Sequence, residues 1–234
     1  MIVGNKVNYD ISNSDIPKDS KEDNKYQKSF NVFLTIIVRD KDGKVIKKYK
    51  QKSHSPTSNF IGMMLPLTYY NTTGSSWEMI IDSTHTYNYY QSLTGNFFGI
   101  GYPNSNISVA GSLLNILVGN GLLSNPYNAY NLASPISNGS GAGQLVYGSI
   151  TFPSGITISS NKAYFIVSQS YTNSSGYTIT ITEVGIYVSF SPNASTITPG
   201  AFINILTWYD TLSSPISVGS GQSTAIYYTF SVNT

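Results

Sequence analysis

At 234 residues, 40% of them hydrophobic and 13% aromatic with 19 tyrosines, the chain holds one large all-β domain or two small ones and is not disordered along its length. Only 10% of residues are charged, against roughly 25% in ordinary soluble domains, and the formal net charge is +2. No cysteine is present, which excludes disulfides and thiolate metal sites, and no window approaches the ~20 apolar residues of a membrane span.

Ser, Thr, Asn and Gly take the place of the missing charges. A surface of hydroxyls and amides keeps its properties when carboxylates protonate, and it suits assembly contacts, from which Lys and Glu are depleted. A biased genome or an ordinary secreted protein yields the same composition. The first 23 residues lack the apolar core of a secretory signal peptide. Residues 1–52 hold all the basic residues but Lys162 and most of the acids, and carry a net +5; the remainder carries −3.

Residues 1–29 are polar and aperiodic and read as an extended arm, ordered only if something holds it. Residues 30–234 read as the β domain. It opens with a hairpin: Asn31–Val38 is a strand, Asp40-Lys41-Asp42-Gly43 supplies the turn, and Lys44–Lys52 returns. Lys44, Lys48, Lys50 and Lys52 share one face of the returning strand with Ile46. They read either as a basic ribbon for nucleic acid or an acidic partner, lining a channel if the assembly encloses one, or as lysines defending a sheet edge.

Ser55-Pro56-Thr57-Ser58 begins a short helix to Leu65, closed by Pro66. Residues 68–95 read as a long Tyr/Asn-rich insert, mostly loop. Asn96–Gly101 is expected as a strand, and the glycine-broken apolar run 110–123 is either helix or strand.

From Leu132 the pattern is regular. Strands are expected at 144–152, 162–170, 176–190, 201–209 and 222–232, separated by Gly, Pro, Asn and Ser. In Gly176–Phe190 the apolar set shifts from Tyr177, Ile179 and Ile181 to Val184, Ile186 and Val188, so a bulge at Glu183–Gly185 is expected to restore the phase. Ser134–Gly141 recurs as Ser214–Gly221 with only Asn138 changed, to Val218, which suggests equivalent corners in two packed sheets. The fold class is all-β: an antiparallel, jelly-roll-like β-sandwich with an extended arm and one or two short helices.

Catalytic and metal sites are not expected, nor is a cofactor. His54 and His85 stand apart without metal-ligand spacing. Beyond residue 52 the carboxylates are Glu78, Asp82, Glu183 and Asp210. A hydrolase would have to pair Glu183 with Asp210 across a cleft, whereas a carboxylate at a bulge serves to accept freed backbone amides. No phosphate loop, dinucleotide fingerprint or serine elbow is present. Sequons at Asn71, Asn106, Asn138, Asn173 and Asn193 are weak signals in so Asn/Ser/Thr-rich a chain. Tyr69, Tyr70, Trp77, Tyr87, Tyr89 and Tyr90 are the aromatics for a subunit interface or for stacking on sugar rings.

Four segments, Val38–Ile46, Phe98–Gly101 with Tyr130–Ile136, Ile179–Tyr187 and Ser214–Gln222, together resemble tail, adaptor and baseplate-like structural proteins of tailed phages and of viruses of thermophilic archaea, including spindle-shaped ones. The insert at 68–95 and the arm before residue 30 depart from that pattern. The resemblance implies a β-sandwich working as a ring or tube subunit of a virion tail or surface, with partners in copies of itself and other virion proteins, and it brings no catalytic residues. On that reading the arm and first hairpin tie the subunit to its neighbours, and viral DNA passing through a channel is a further partner. The alternative is an adhesin or carbohydrate-binding module that meets a host surface glycan.

Overall fold

The computed structural model describes residues 30–53, 55–60, 76–80, 86–90, 114–152, 155–159, 162–190 and 203–233. They form the strands β1 (Phe30–Arg39), β2 (Val45–Lys52), β3 (Ser76–Ile80), β4 (Thr86–Tyr90), β5 (Leu114–Gly119), β6 (Val146–Thr151), β7 (Thr157–Ser159), β8 (Lys162–Thr172), β9 (Ile179–Phe190), β10 (Ile203–Val218) and β11 (Ser223–Asn233). Every pairing among them is antiparallel. The expected all-β class is the observed one. Of the expected helix only residues 58–60 are described and helical; the arm, His54, His85 and the strand at 96–101 lie outside the described residues.

The six-stranded large sheet runs β2-β1-β11-β8-β6, with β7 continuing the β6 edge along β8; the small sheet runs β10-β9-β5. One hydrophobic core joins them. Val32, Leu34, Ile36 and Val38 alternate inward from β1, Ile226 and Tyr228 from β11, and Val167 and Tyr171 from β8. Against them lie Ile116 and Val118 of β5, Val184 and Ile186 of β9, and Trp208 of β10. This is period-two burial meeting face to face, the arrangement of a two-sheet sandwich.

The small sheet is covered on its other face as well. The Tyr187 hydroxyl donates to Asn131 Oδ1 and accepts from Leu132 N at 2.8 Å, and Tyr209 Oη accepts from Leu123 N at 3.0 Å. The segment 120–135 is thereby laid over β9 and β10. Burial on both faces explains why β5 is buried almost continuously, Asn115 included, rather than in alternation.

It also corrects the expected bulge. Glu183–Val188 pairs regularly with Gly119–Leu114. The ladder with β10 breaks instead at Thr182, where residues 212–215 of β10 stand opposite that single residue, and a second surplus residue is Thr207. Gly185 serves close approach: a Cβ there would meet Leu206 Cδ1 at 2.6 Å and Leu132 Cδ2 at 2.9 Å.

Three further expectations change. β10 continues sixteen residues through Ser214–Val218, where the pattern predicted an end at Tyr209, because the surplus residues 212–215 hide the alternation. Within the predicted loop 68–95, β3 and β4 form a hairpin. The repeated octapeptides lead to similar turns, but both deliver the chain to the large sheet, at β6 and β11, rather than to two sheets. In each turn a glycine accepts from a glutamine N–H three residues on, and its own N–H is met by that glutamine's side chain (Gly141 with Gln144, Gly219 with Gln222); Gly143 and Gly221 take φ near +75°.

Candidate functional site

The two carboxylates on which a hydrolase would rest are both interior. Glu183, fully buried, accepts from Gly121 N at 3.1 Å and Ser134 N at 2.8 Å through Oε1, and from Ala133 N at 2.9 Å through Oε2. Thr182 Oγ1 adds a bond to Gly121 O at 2.8 Å. Together they lash the covering segment to β9. Gly121 has no room for a side chain, since a Cβ would stand 2.6 Å from Ala133 Cβ. A buried carboxylate that accepts several amide hydrogens is fully occupied as a structural strut.

Asp210, also buried, accepts at Oδ2 from Ser53 Oγ at 2.5 Å and from Tyr228 Oη at 2.9 Å; the Trp208 indole N–H donates to the same Ser53 hydroxyl. This network pins the end of β2 and β11 to β10. In the β9–β10 ladder Asp210 pairs with Val184 and Glu183 with Thr211, so the two carboxylates leave opposite faces of the small sheet. They do not face one another across a cleft. Among the described residues no group of three or more His, Asp or Glu gathers where a metal would sit, and no helix is long and apolar enough to cross a membrane.

Burial acts on the tyrosines that join the sheets. Desolvation pushes the Tyr171 and Tyr228 phenols well above the usual 10, with the Tyr147 charge adding for Tyr171 and the Asp210 charge adding for Tyr228. Desolvation likewise raises Tyr147 and Tyr187, opposed by the backbone N–H groups of Val118 and Leu132. These groups are neutral fasteners, not acids at work near neutrality.

The lysine strand β2 is an edge of the large sheet. Lys48, Lys50 and Lys52 pair with Ile37, Thr35 and Phe33, the β1 residues that point away from the core, so these three do share the outer face. Lys44 does not belong with them. Val45 pairs with Arg39 and Lys47 with Val38, which leaves Ile46 as a one-residue bulge that reverses the side-chain phase beyond it. Lys44 instead closes the hairpin turn, its N–H bound to Asp40 Oδ1 and its carbonyl to Asp40 N. Lys47 turns inward to Pro215 O.

At the other side of the same sheet lies a feature that the sequence reading missed. Phe30, Val232, Ala163 and Ile158 form one row across β1, β11, β8 and β7, in register on the core-facing side. The small sheet does not reach this row: Phe30 is 54% exposed, Val232 39% and Ile158 79%. Phe152 and Ile156 are exposed beside it along the β6–β7 edge. The apolar alternation Ile156-Thr157-Ile158 after a Pro-Ser-Gly turn was the available signal, but three residues are too short to separate from a loop.

Of the aromatic candidates, Tyr69 and Tyr70 lie outside the described residues, and Trp77 is paired with Tyr89, Met79 with Tyr87 and Ser76 with Tyr90 in the β3–β4 ladder. The sequon at Asn173 is closed to modification in the folded chain. Its buried side-chain amide donates to Tyr177 O and Val218 O, 2.6 and 2.7 Å away. Comparison of the chain with protein-family models, with curated proteins and with solved structures finds no match.

Proposed function

We propose that the chain is a structural subunit that assembles with copies of itself through the uncovered end of the large sheet. The observation that carries this is the row Phe30–Val232–Ala163–Ile158, core-facing in register yet with Phe30, Val232 and Ile158 exposed. Apolar surface of this kind, next to the β6–β7 edge of the sheet, favours burial against another chain, and an edge pairing with its own copy is self-complementary. The interior roles of Glu183 and Asp210 favour this reading over a hydrolase.

The virion setting follows the sequence resemblance: a tail, adaptor or spike subunit, in contact with other virion proteins. A glycan-binding module is the second reading, favoured by the pairing of Trp77 with Tyr89 on one hairpin. Light scattering of the purified chain tests the first. The expected result is a discrete oligomer that Ile158→Lys converts to monomer while the circular dichroism spectrum stays the same. A monomer at every concentration, together with specific signals on a glycan array, favours the second reading.

A further inference from the structure

The outer face of the large sheet carries chemistry that the assembly reading does not use. Its rows follow from the register. Lys52, Phe33, Thr229 and Ile166 lie across the sheet from β2 to β8, then Lys50, Thr35, Tyr227 and Ser168, then Lys48, Ile37, Ala225 and Ser170. Phe33 and Tyr227 are half-buried, and the lysines at the head of each row are exposed.

Among the described residues this face holds no carboxylate. Asp40 and Asp42 are in the hairpin turn, where Asp40 Oδ1 accepts from the Asp42 and Lys44 amides; Glu78 belongs to the separate β3–β4 hairpin, and Glu183 and Asp210 are interior. Among the described residues the face is therefore cationic, with no carboxylate on it. Lys50 Nζ stands 4.8 Å from the Phe33 ring centroid, and at the far corner Lys162 Nζ stands 5.5 Å from the Tyr164 centroid. These contacts hold ammonium groups beside aromatic rings instead of pairing them with acids.

The spacing selects among anions. Alternate residues of a strand repeat at ~6.8 Å, so Lys48, Lys50 and Lys52 present a straight row of charges with a repeat suited to successive phosphates of an extended strand. Phe33 lies one strand inward and Tyr227 two, which places rings where the bases attached to those phosphates turn over the sheet. A row of cations flanked on one side by aromatic faces is how single strands are held without reading their sequence.

We propose that the outer face of the large sheet binds single-stranded nucleic acid, with the backbone running along β2 on Lys48, Lys50 and Lys52 and the bases stacking inward on Phe33 and Tyr227. The site lies on the opposite face of the sheet from the assembly row, whose Phe30 is three residues from Phe33 on β1.

The test is fluorescence anisotropy of the full chain with a labelled oligodeoxythymidylate of about 12 nucleotides in about 50 mM salt. Binding is expected to weaken with salt with a log–log slope near −2, as about three phosphate contacts require. Replacing Lys48, Lys50 and Lys52 together by Gln should lower affinity about tenfold or more and flatten that slope. Tyr227→Ser should lower affinity about fivefold with the slope unchanged, and Phe33→Thr provides the same readout should Tyr227→Ser misfold. Lys41→Gln, in the turn, should change neither. Absence of binding overturns the proposal. So does competition by base-free polyphosphate as strong as by the oligonucleotide, or preferential capture of anionic vesicles or an acidic peptide.

Discussion

Two margins of the sandwich treat exposed backbone in opposite ways. The β5 edge of the small sheet is sealed. Ile116 N donates to Gln169 Oε1 at 2.8 Å, Ile116 O accepts from Tyr171 Oη at 2.5 Å, and Val118 O accepts from Ile136 N at 2.9 Å. The free groups of an edge strand are thus taken up by side chains of the opposite sheet and by the covering segment. The β6–β7 margin is the edge of the large sheet among the described residues, and it exposes Phe152, Ile156 and Ile158. One margin is interior fastening; the other is available surface. The same sequence bias toward Tyr, Thr and Ile therefore does two jobs, and only the partners distinguish them.

The difference is best broken at the sealed side. Glu183→Ala leaves the Gly121, Ala133 and Ser134 amides without their acceptor and should cost about 3–5 kcal/mol, measured by urea unfolding. A loss under about 1 kcal/mol would mean that the covering segment is held by its apolar contacts alone.

Alkaline pH attacks the same seam. The buried tyrosines have folded-state pKa values above the unfolded 10, so the folded state holds its protons longer. Their contribution is complete below about pH 10 and declines as pH rises above it, by up to ~1.4 kcal/mol per pH unit for each tyrosine that ionises only on unfolding. Stability should fall steeply above pH 10, and in a spectrophotometric titration the phenolate absorbance of the buried tyrosines should appear as a cooperative step only as the chain unfolds. Early, non-cooperative ionisation of all tyrosines would contradict the burial.

Gly185→Ala tests the fit beneath that segment and should cost about 1–3 kcal/mol, since Leu206 and Leu132 must both give way. Tyr171→Phe is smaller, about 1–2 kcal/mol, from the unmet Ile116 carbonyl. Ile158→Lys should change stability least, within about 0.5 kcal/mol, because the side chain is 79% exposed. Its effect should appear in association state alone, which is what separates the open margin from the sealed one.

Much of the architecture was legible from local pattern. The Asp-Gly turn and the β1 alternation located the first hairpin, and the regular strands after residue 132 pointed to paired antiparallel sheets. Glu183 as an acceptor of backbone amides was also readable, though its donors were not: they arrive from 121–134, some fifty residues away in the chain. The phase shift in β9 was visible in the residues; the ladder irregularity lies at Thr182, beside the expected position, with the surplus residues on β10. Period two reports which face is buried, and it fails where both faces are covered.

By itself the sequence determined the local choices: extended backbone wherever β-branched and aromatic residues alternate, turns at Gly and Asp, and the clustering of lysines near β2. Side-chain sterics and backbone φ preferences act over a few residues, so they can be read from a few residues. Tertiary structure alone decided which lysines share a face, because a single bulge at Ile46 reverses the phase. It alone decided that Glu183 and Asp210 point apart, that the repeated turns serve one sheet, and that Phe30 and Ile158 fall in one uncovered row. Those outcomes depend on strand register and sheet order, which are set by long-range pairing and the burial it allows, and no local window contains them.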